Sequence, residues 1–374
     1  MFKKQASVLN RVEIISANLI NNFHILKKQG KNNNLEIFPV LKANAYGHGL
    51  EECVKILESQ NPTYFIVDSY YEALKIRKIS NSPVLIIGPN SLDNIKYILK
   101  KRFTLTVTNI ITLKKIVSEK KETKIHLSFN TGMNREGFVK NDISNIIKIL
   151  KKNPKINCEG IFSHFADADG EFENYTELQE KNFSEILDFF NQNEIYPKWI
   201  HLGNSAGFLK TKNNRINAFR TGIALYGINP LPKNDKKYDK LKNLKPALRL
   251  ISTVTDLQEL KLNDSVSYNC TFKAKGKTKI ALLPIGYEEF FDRKLSNCGY
   301  VKYKDIFLPI VGRICMNLTL FDTKNLPIKT GTEIIVISEN PKDKNSIENI
   351  AKLVNTIPYE TLIRVNNTHR RFIV

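Results

Sequence analysis

Eight apolar, strand-length runs, separated by stretches of helical character, constrain this chain more than any other feature. They fall at 35–41, 64–67, 84–87, 103–107, 124–129, 156–162, 199–202 and 216–220. Short apolar runs of this kind suit strands covered on both faces. One helical signature between them is Ser91-Leu92-Asp93-Asn94-Ile95-Lys96-Tyr97-Ile98-Leu99, where a serine N-cap precedes apolar residues three and four apart. Another spans 141–150. Eight strand-then-helix repeats predict an α/β fold, a (β/α)8 barrel of TIM type, rather than an open sheet.

The pattern changes at Asn229-Pro230-Leu231-Pro232, and a Lys- and Asp-rich stretch follows through Lys242. Beyond it the helical period fades and strand-like runs dominate, at 248–257, 279–284, 306–311, 318–321 and 332–337, with one helix near 346–355. A second, mostly β domain is expected. The barrel unit is placed over 10–240 and the β unit over 241–374, the first few residues joining the latter. No internal repeat or long low-complexity linker is visible.

Composition narrows the class. With 42% hydrophobic and 25% charged residues, 374 residues can build a sizeable core. No apolar run approaches the roughly 20 residues of a membrane span. The start, Met1-Phe2-Lys3-Lys4-Gln5, has the charges of a signal peptide but no apolar region after them, so a cytoplasmic protein is expected. Five scattered cysteines (Cys53, Cys158, Cys270, Cys298 and Cys315) form no C-x-x-C pair. That argues against a disulfide framework or structural zinc and fits a reducing compartment. A net charge of +20 invites a nucleic-acid reading. The lysines, however, spread along the chain on the polar faces of helices, and asparagine is abundant too, as in Asn32-Asn33-Asn34. The bias reads as compositional habit, with at most a mild pull on anionic ligands. No metal site is expected.

In a barrel of this type, chemistry sits at the C-terminal ends of the strands. The distinctive residues fall there. Lys42 ends the first run, in Val40-Leu41-Lys42-Ala43-Asn44-Ala45-Tyr46-Gly47-His48-Gly49. Arg135 follows the fifth run and His164 ends the sixth. Asn204 and Ser205 follow the seventh. Arg220, Gly222 and Ile223 lie at the end of the eighth. The turns Asn204-Ser205-Ala206-Gly207 and Thr221-Gly222-Ile223 offer small residues and free N–H groups, as a phosphate cradle requires.

The lysine stretch resembles the pyridoxal-phosphate lysine motif of alanine racemases. Further segments resemble that family in order: Ile161-Phe162-Ser163-His164-Phe165-Ala166, His201-Leu202-Gly203-Asn204-Ser205-Ala206 and Arg220-Thr221-Gly222-Ile223-Ala224-Leu225-Tyr226-Gly227. In the second domain, Ser265-Val266-Ser267-Tyr268-Asn269-Cys270-Thr271, Gly312-Arg313-Ile314-Cys315-Met316-Asn317 and Pro358-Tyr359-Glu360 do so too. The resemblance covers essentially the whole chain.

It implies a pyridoxal-phosphate alanine racemase supplying D-alanine for peptidoglycan. Lys42 would hold the cofactor as a Schiff base and act as base on one face of Cα. Tyr268 would serve the opposite face, because racemisation needs two acid/base groups. The resemblance further implies a homodimer in which Tyr268 and the Met316 N–H reach the partner's site. Arg220 would face the pyridine nitrogen; an arginine accepts no proton, which argues against a decarboxylase with an acidic residue there. His164 would link Arg220 to Tyr268. Tyr46, Ser205, Tyr359, Gly222 and Ile223 would hold the phosphate, with Asn204 beside them, and Arg135 would meet the substrate carboxylate. Tyr287, Arg293, Arg313 and Asp169 match the family's substrate entrance.

Three departures stand out. The family commonly has a lysine, often carbamylated, where Ser128 stands, so Arg135 must be held by a bound anion or a neighbouring amide. Asn317 replaces an aspartate. Gly286-Tyr287-Glu288-Glu289-Phe290 differs from the usual Gly-Tyr-x-Asp-Gly. A racemase for serine or a broader substrate set is an alternative, decided by the pocket around Tyr359. A non-catalytic pyridoxal-phosphate-binding protein of a single barrel is another; the β domain with Tyr268 and Met316 counts against it.

Overall fold

The computed structural model describes residues 8–31, 35–170 and 172–374. The basic start at 1–5 and the asparagine run at 32–34 lie outside the described residues. After β1 (Asn10–Ile14), eight strands follow: β2 (Glu36–Pro39), β3 (Phe65–Val67), β4 (Val84–Ile86), β5 (Thr104–Val107), β6 (Thr123–Ser128), β7 (Ile156–Phe162), β8 (Trp199–His201) and β9 (Ala218–Thr221). They form one parallel sheet in the order β2-β9-β8-β7-β6-β5-β4-β3. A parallel bridge between Val40 and Ile66 joins its two ends into a barrel. Each expected run contributes one strand, because two-sided burial selects the same residues that a hydrophobic scan selects.

Helices cover the outside of the barrel. The one expected near 91–99 is built in two steps: Ser91 accepts from the Asp93 N–H at 3.3 Å and opens a 3-10 turn, which passes into Ile95–Lys100. The helix Ile143–Lys152 buries Ile143, Ile146, Ile147 and Leu150, a stripe at helical spacing. Inside the barrel the filling is aromatic. Phe38 meets Tyr64, Trp199 and His201 edge-on, with centroids 5.3–5.6 Å away.

The rest of the chain is mostly β. Strand β10 (Leu248–Thr253) is followed by β11 (Asp256–Leu260), β12 (Ser265–Val266), β13 (Phe272–Lys273), β14 (Thr278–Leu283), β15 (Tyr300–Tyr303), β16 (Ile306–Pro309), β17 (Thr319–Asp322), β18 (Glu333–Ile337) and β19 (Arg370–Ile373). The run expected as one strand at 248–257 is two. At Val254 and Thr255 the backbone leaves one sheet for another, donating to Thr332 and then to Leu282. So β10 lies in the six-stranded sheet β16-β15-β18-β10-β1-β19 and β11 in the three-stranded sheet β11-β14-β17. Strand β1 pairs antiparallel with β10 and parallel with β19. The helix Ile347–Leu353 starts at Ser346, whose hydroxyl accepts from Asn349 N–H.

One buried amide ties the barrel to the chain leaving it. Asn22, on the helix Ser16–Lys31, is fully buried; it donates to the Leu225 and Lys245 carbonyls at 3.1 and 2.8 Å and accepts from the Lys245 N–H at 2.8 Å. Asn22→Ala strands these backbone groups and is expected to cost about 2–4 kcal/mol in urea unfolding. A loss below about 1 kcal/mol would show that water replaces the amide there.

Candidate active site

The site is built on strained backbone. After Leu41 and Lys42 the chain turns left-handed for four residues, Ala43, Asn44, Ala45 and Tyr46, with φ between 52° and 54°. L-residues in that region cost about 1–2 kcal/mol each, so the surroundings must hold them. Glu72 accepts from the Ala43 N–H at 2.7 Å, and Asn44 accepts from the Leu50 N–H at 2.9 Å. The C-terminal domain supplies two further ties. Asn44 donates to Asn367 at 2.7 Å, and Arg371 donates to the Gly47 carbonyl through Nε and Nη2 at 3.2 and 2.9 Å.

Over the C-terminal ends of the barrel strands lies a cavity of about 260 Å³. Its wall brings together Lys42, Tyr46, Arg135, His164, Asn204, Ser205, Arg220, Gly222, Ile223 and Tyr359. The Lys42 side chain is 40% exposed, with Nζ 3.5 Å from Asp68. The Ser205 hydroxyl accepts from the Gly222 N–H at 2.9 Å and fixes the last βα turn. Asn204 shapes its own loop, accepting from Ala206 and Gly207 N–H at 3.1 and 2.9 Å. Burial raises the phenols of Tyr46, to about 12, and Tyr359, so both stay neutral donors at pH 7.

Arg220 forms the floor. Nη1 donates to His201 Nδ1 at 2.6 Å and to the His201 carbonyl at 3.2 Å. Nη2 donates to the Ser163 carbonyl at 2.7 Å, His164 Nδ1 at 2.9 Å and the Leu202 carbonyl at 3.3 Å. The guanidinium lies 4.9 Å from the Phe162 ring. Burial, with the Arg135 charge adding to it, lowers Arg220 to about 9, which leaves it cationic at neutral pH. Burial and the Arg220, Arg135 and Lys42 charges push His164 down to about 3, so that ring is neutral.

Tyr268 and Met316 lie elsewhere. Tyr268 lines a separate recess with Ser267, Arg313 and Cys315, and Tyr268 and Met316 are 64% and 56% exposed. Within one chain they do not join Lys42. Ser128 lies buried in the cavity wall. Arg135 has the Glu136 carboxylate at 3.8 Å. The other two departures meet: the Asn317 amide donates to Glu289 at 2.7 Å. Sequence reading missed His126, Glu159 and Tyr64 beneath Arg220, and Asp68 and Glu72 beside Lys42. A histidine or carboxylate inside an otherwise apolar barrel strand was the available signal.

The residues fit a phosphorylated aldehyde. Lys42 offers an amine, and Tyr46, Ser205 and Tyr359 offer hydroxyls. A Cβ on Gly222 would lie 2.5 Å from the Tyr46 hydroxyl oxygen, so glycine there gives the phenol its present place. A parallel barrel with these groups at its strand ends is a lysine-based, phosphate-cofactor barrel enzyme. The sequence profile described as alanine racemase, N-terminal domain, matches residues 14–230, and that described as alanine racemase, C-terminal domain, matches 247–373. The alanine racemase of Lactobacillus acidophilus is 34% identical over 98% of this chain and 96% of its own. That of Methanococcus maripaludis is 35% identical over 88% of this chain and 90% of its own. The solved alanine racemase of Clostridium difficile 630 superposes with a TM-score of 0.90 at 30% identity, covering 99% of this chain and 97% of that one. This chain belongs to the alanine racemase family, whose cofactor is pyridoxal phosphate.

Two outcomes follow from this geometry. Gly222→Ala is expected to weaken pyridoxal phosphate binding at least tenfold in a titration followed by cofactor absorbance, with the unfolding midpoint little changed. Five of the six histidines (His48, His126, His164, His201 and His369) are held below the ordinary 6.5, burial being the leading cause at each. The unfolded chain therefore takes up protons that the native state refuses. Stability is expected to fall as pH drops below about 6.5, most clearly through His48 and His164, whose native values of about 4 and about 3 let each contribute up to about 1.4 kcal/mol per pH unit. Urea midpoints at pH 7, 6 and 5 measure this, and a flat profile would mean the rings are charged in the native state.

Proposed function

We propose that this chain interconverts L-alanine and D-alanine with bound pyridoxal phosphate. The observation that carries the reading is the single cavity that gathers Lys42, Arg220, His164, Ser205 and Gly222 in a member of the alanine racemase family. The bound cofactor supplies an electron sink for the charge left when a proton leaves Cα. Lys42 would hold it covalently, and the lysine amine would remove or return the proton on one face of Cα. Tyr46, Ser205 and Tyr359, with the Ile223 amide and the turn at Gly222, would bind its phosphate. Arg220, cationic and donor-only, would meet the cofactor ring and offer it no proton acceptor, which would limit side reactions. Arg135, beside Glu136, orients the substrate carboxylate.

The second face needs a second group. We assign it to Tyr268 of a second copy, with the Met316 amide. Their exposure and distance from their own Lys42 support a homodimer with shared sites. Five free cysteines, and no helix among the described residues long and apolar enough to cross a membrane, are compatible with a cytoplasmic supply of D-alanine for peptidoglycan.

Chiral analysis of L-alanine incubated with the loaded protein tests the activity, with L-serine alongside. Equal L- and D-alanine at equilibrium is the expected result; no D-product with cofactor bound would refute it. Tyr268→Phe is expected to keep the cofactor absorbance and lose at least about 100-fold in kcat, the scale of a lost general acid/base. Full activity in both directions would remove Tyr268 from the reaction.

A further inference from the structure

Beneath Arg220 a line of buried polar groups runs through the barrel interior, where apolar side chains are the rule. Arginine carries only donors, so both groups facing its terminal nitrogens, His201 Nδ1 at 2.6 Å and His164 Nδ1 at 2.9 Å, present lone pairs. His201, a neutral ring by that constraint, then carries its proton on Nε2. That atom lies 2.8 Å from His126 Nδ1, which must accept. His126 in turn carries its proton on Nε2, a buried atom that makes no hydrogen bond and has the Glu159 carboxylate 3.9 Å away, an electrostatic approach. Glu159 accepts from the Tyr64 hydroxyl and, at 2.7 Å, from Lys124. Both rings are fully buried, whereas the Lys124 side chain is 58% exposed. One constraint at the cavity therefore fixes every proton position down to the carboxylate.

The backbone is shaped for this line. In the β6–β7 pairing Ile125 sits opposite Cys158 and His126 opposite Gly160, so Glu159 is the extra residue of a bulge. A Cβ on Gly160 would lie 2.5 Å from His126 Nδ1, so glycine there makes room for the ring.

We propose that His126 and Glu159 are positioning residues for racemisation, which through His201 hold Arg220 as a donor-only cation facing the cavity. This rests on the reading of Arg220 as the residue that meets the cofactor ring nitrogen. Without His126 the buried Nε2–H of His201 has no acceptor. The tautomer with its proton on Nδ1 then competes, and that proton would collide with the Arg220 donor. Glu159, with its partners Tyr64 and Lys124, orients His126 from the far end.

The first test is direct. Nitrogen-15 NMR of the histidine-labelled holoenzyme reads each ring's tautomer. The expected result is two neutral rings, His126 and His201, each protonated on Nε2 and bare on Nδ1. A proton on His201 Nδ1, or a cationic ring at either position, overturns the proposal without any variant being made. The second test is kinetic. His126→Leu is expected to lower kcat about 10- to 100-fold, the range typical of outer-shell groups that fix a histidine ligand in metal sites. KM for alanine should stay within about threefold. His126→Asn places an amide oxygen near the position of Nδ1 and is expected to recover most of the loss. Unchanged kcat in His126→Leu, or no recovery in His126→Asn when both variants fold, overturns the positioning role. Arg220→Ala separates this from the parent reading: if it keeps full activity, the role of Arg220 itself fails, whatever the histidine tautomers are.

Discussion

The site depends on a buried cation that no carboxylate neutralises. Arg220 is held by three carbonyls and two imidazole lone pairs, and among the described residues no acidic group pairs with it. A buried charge without hydrogen bonds would cost several kcal/mol. The five partners meet its two terminal nitrogens without cancelling its field. A carboxylate in their place would leave a neutral pair at the cavity floor. Neutral dipoles leave a net positive one, and they also require neutral histidines. The low proton affinity of His164 and His201 and the charge of Arg220 are thus one arrangement seen from two sides.

The cavity around that floor draws on many separated segments. Lys42 and Tyr46 come from one turn, Ser205 and Gly222 from the last two barrel connections, and Tyr359 from the second domain. Glu72 joins two of the supporting pieces. It accepts from Ala43 N–H and, with its other oxygen, from Asp68 and Ser69 N–H, while Ser69 caps its helix. One carboxylate therefore braces both the lysine turn and the loop that carries the lysine's ion-pair partner.

Much of this was legible in the sequence, and the reasons differ by element. The barrel strands were readable because strands buried on both faces are continuous apolar runs. The site residues were readable because strand ends are where a barrel displays them, and because the motifs resemble a family. The break at Val254 was not readable, since the apolar run 248–257 continues across the change of sheet. Nor was the pairing of β1 with β10 and β19, which depends on contacts across more than two hundred residues. The line from Arg220 to Glu159 was hidden by the bulge in β7, which shifts the alternation of faces by one residue. Tyr268 was recognised by resemblance alone; in the folded chain it lines a recess apart from Lys42.

The strained turn after Lys42 has a consequence for how the protein comes into being. Two of its ties, from Asn367 and Arg371, belong to a segment more than three hundred residues further along. During synthesis the barrel strands emerge first, and the lysine turn emerges with them. It cannot be fully clamped until the strand Arg370–Ile373 has left the ribosome and docked beside Asn10–Ile14. The turn that carries Lys42 is therefore made more than three hundred residues before the segment that clamps it.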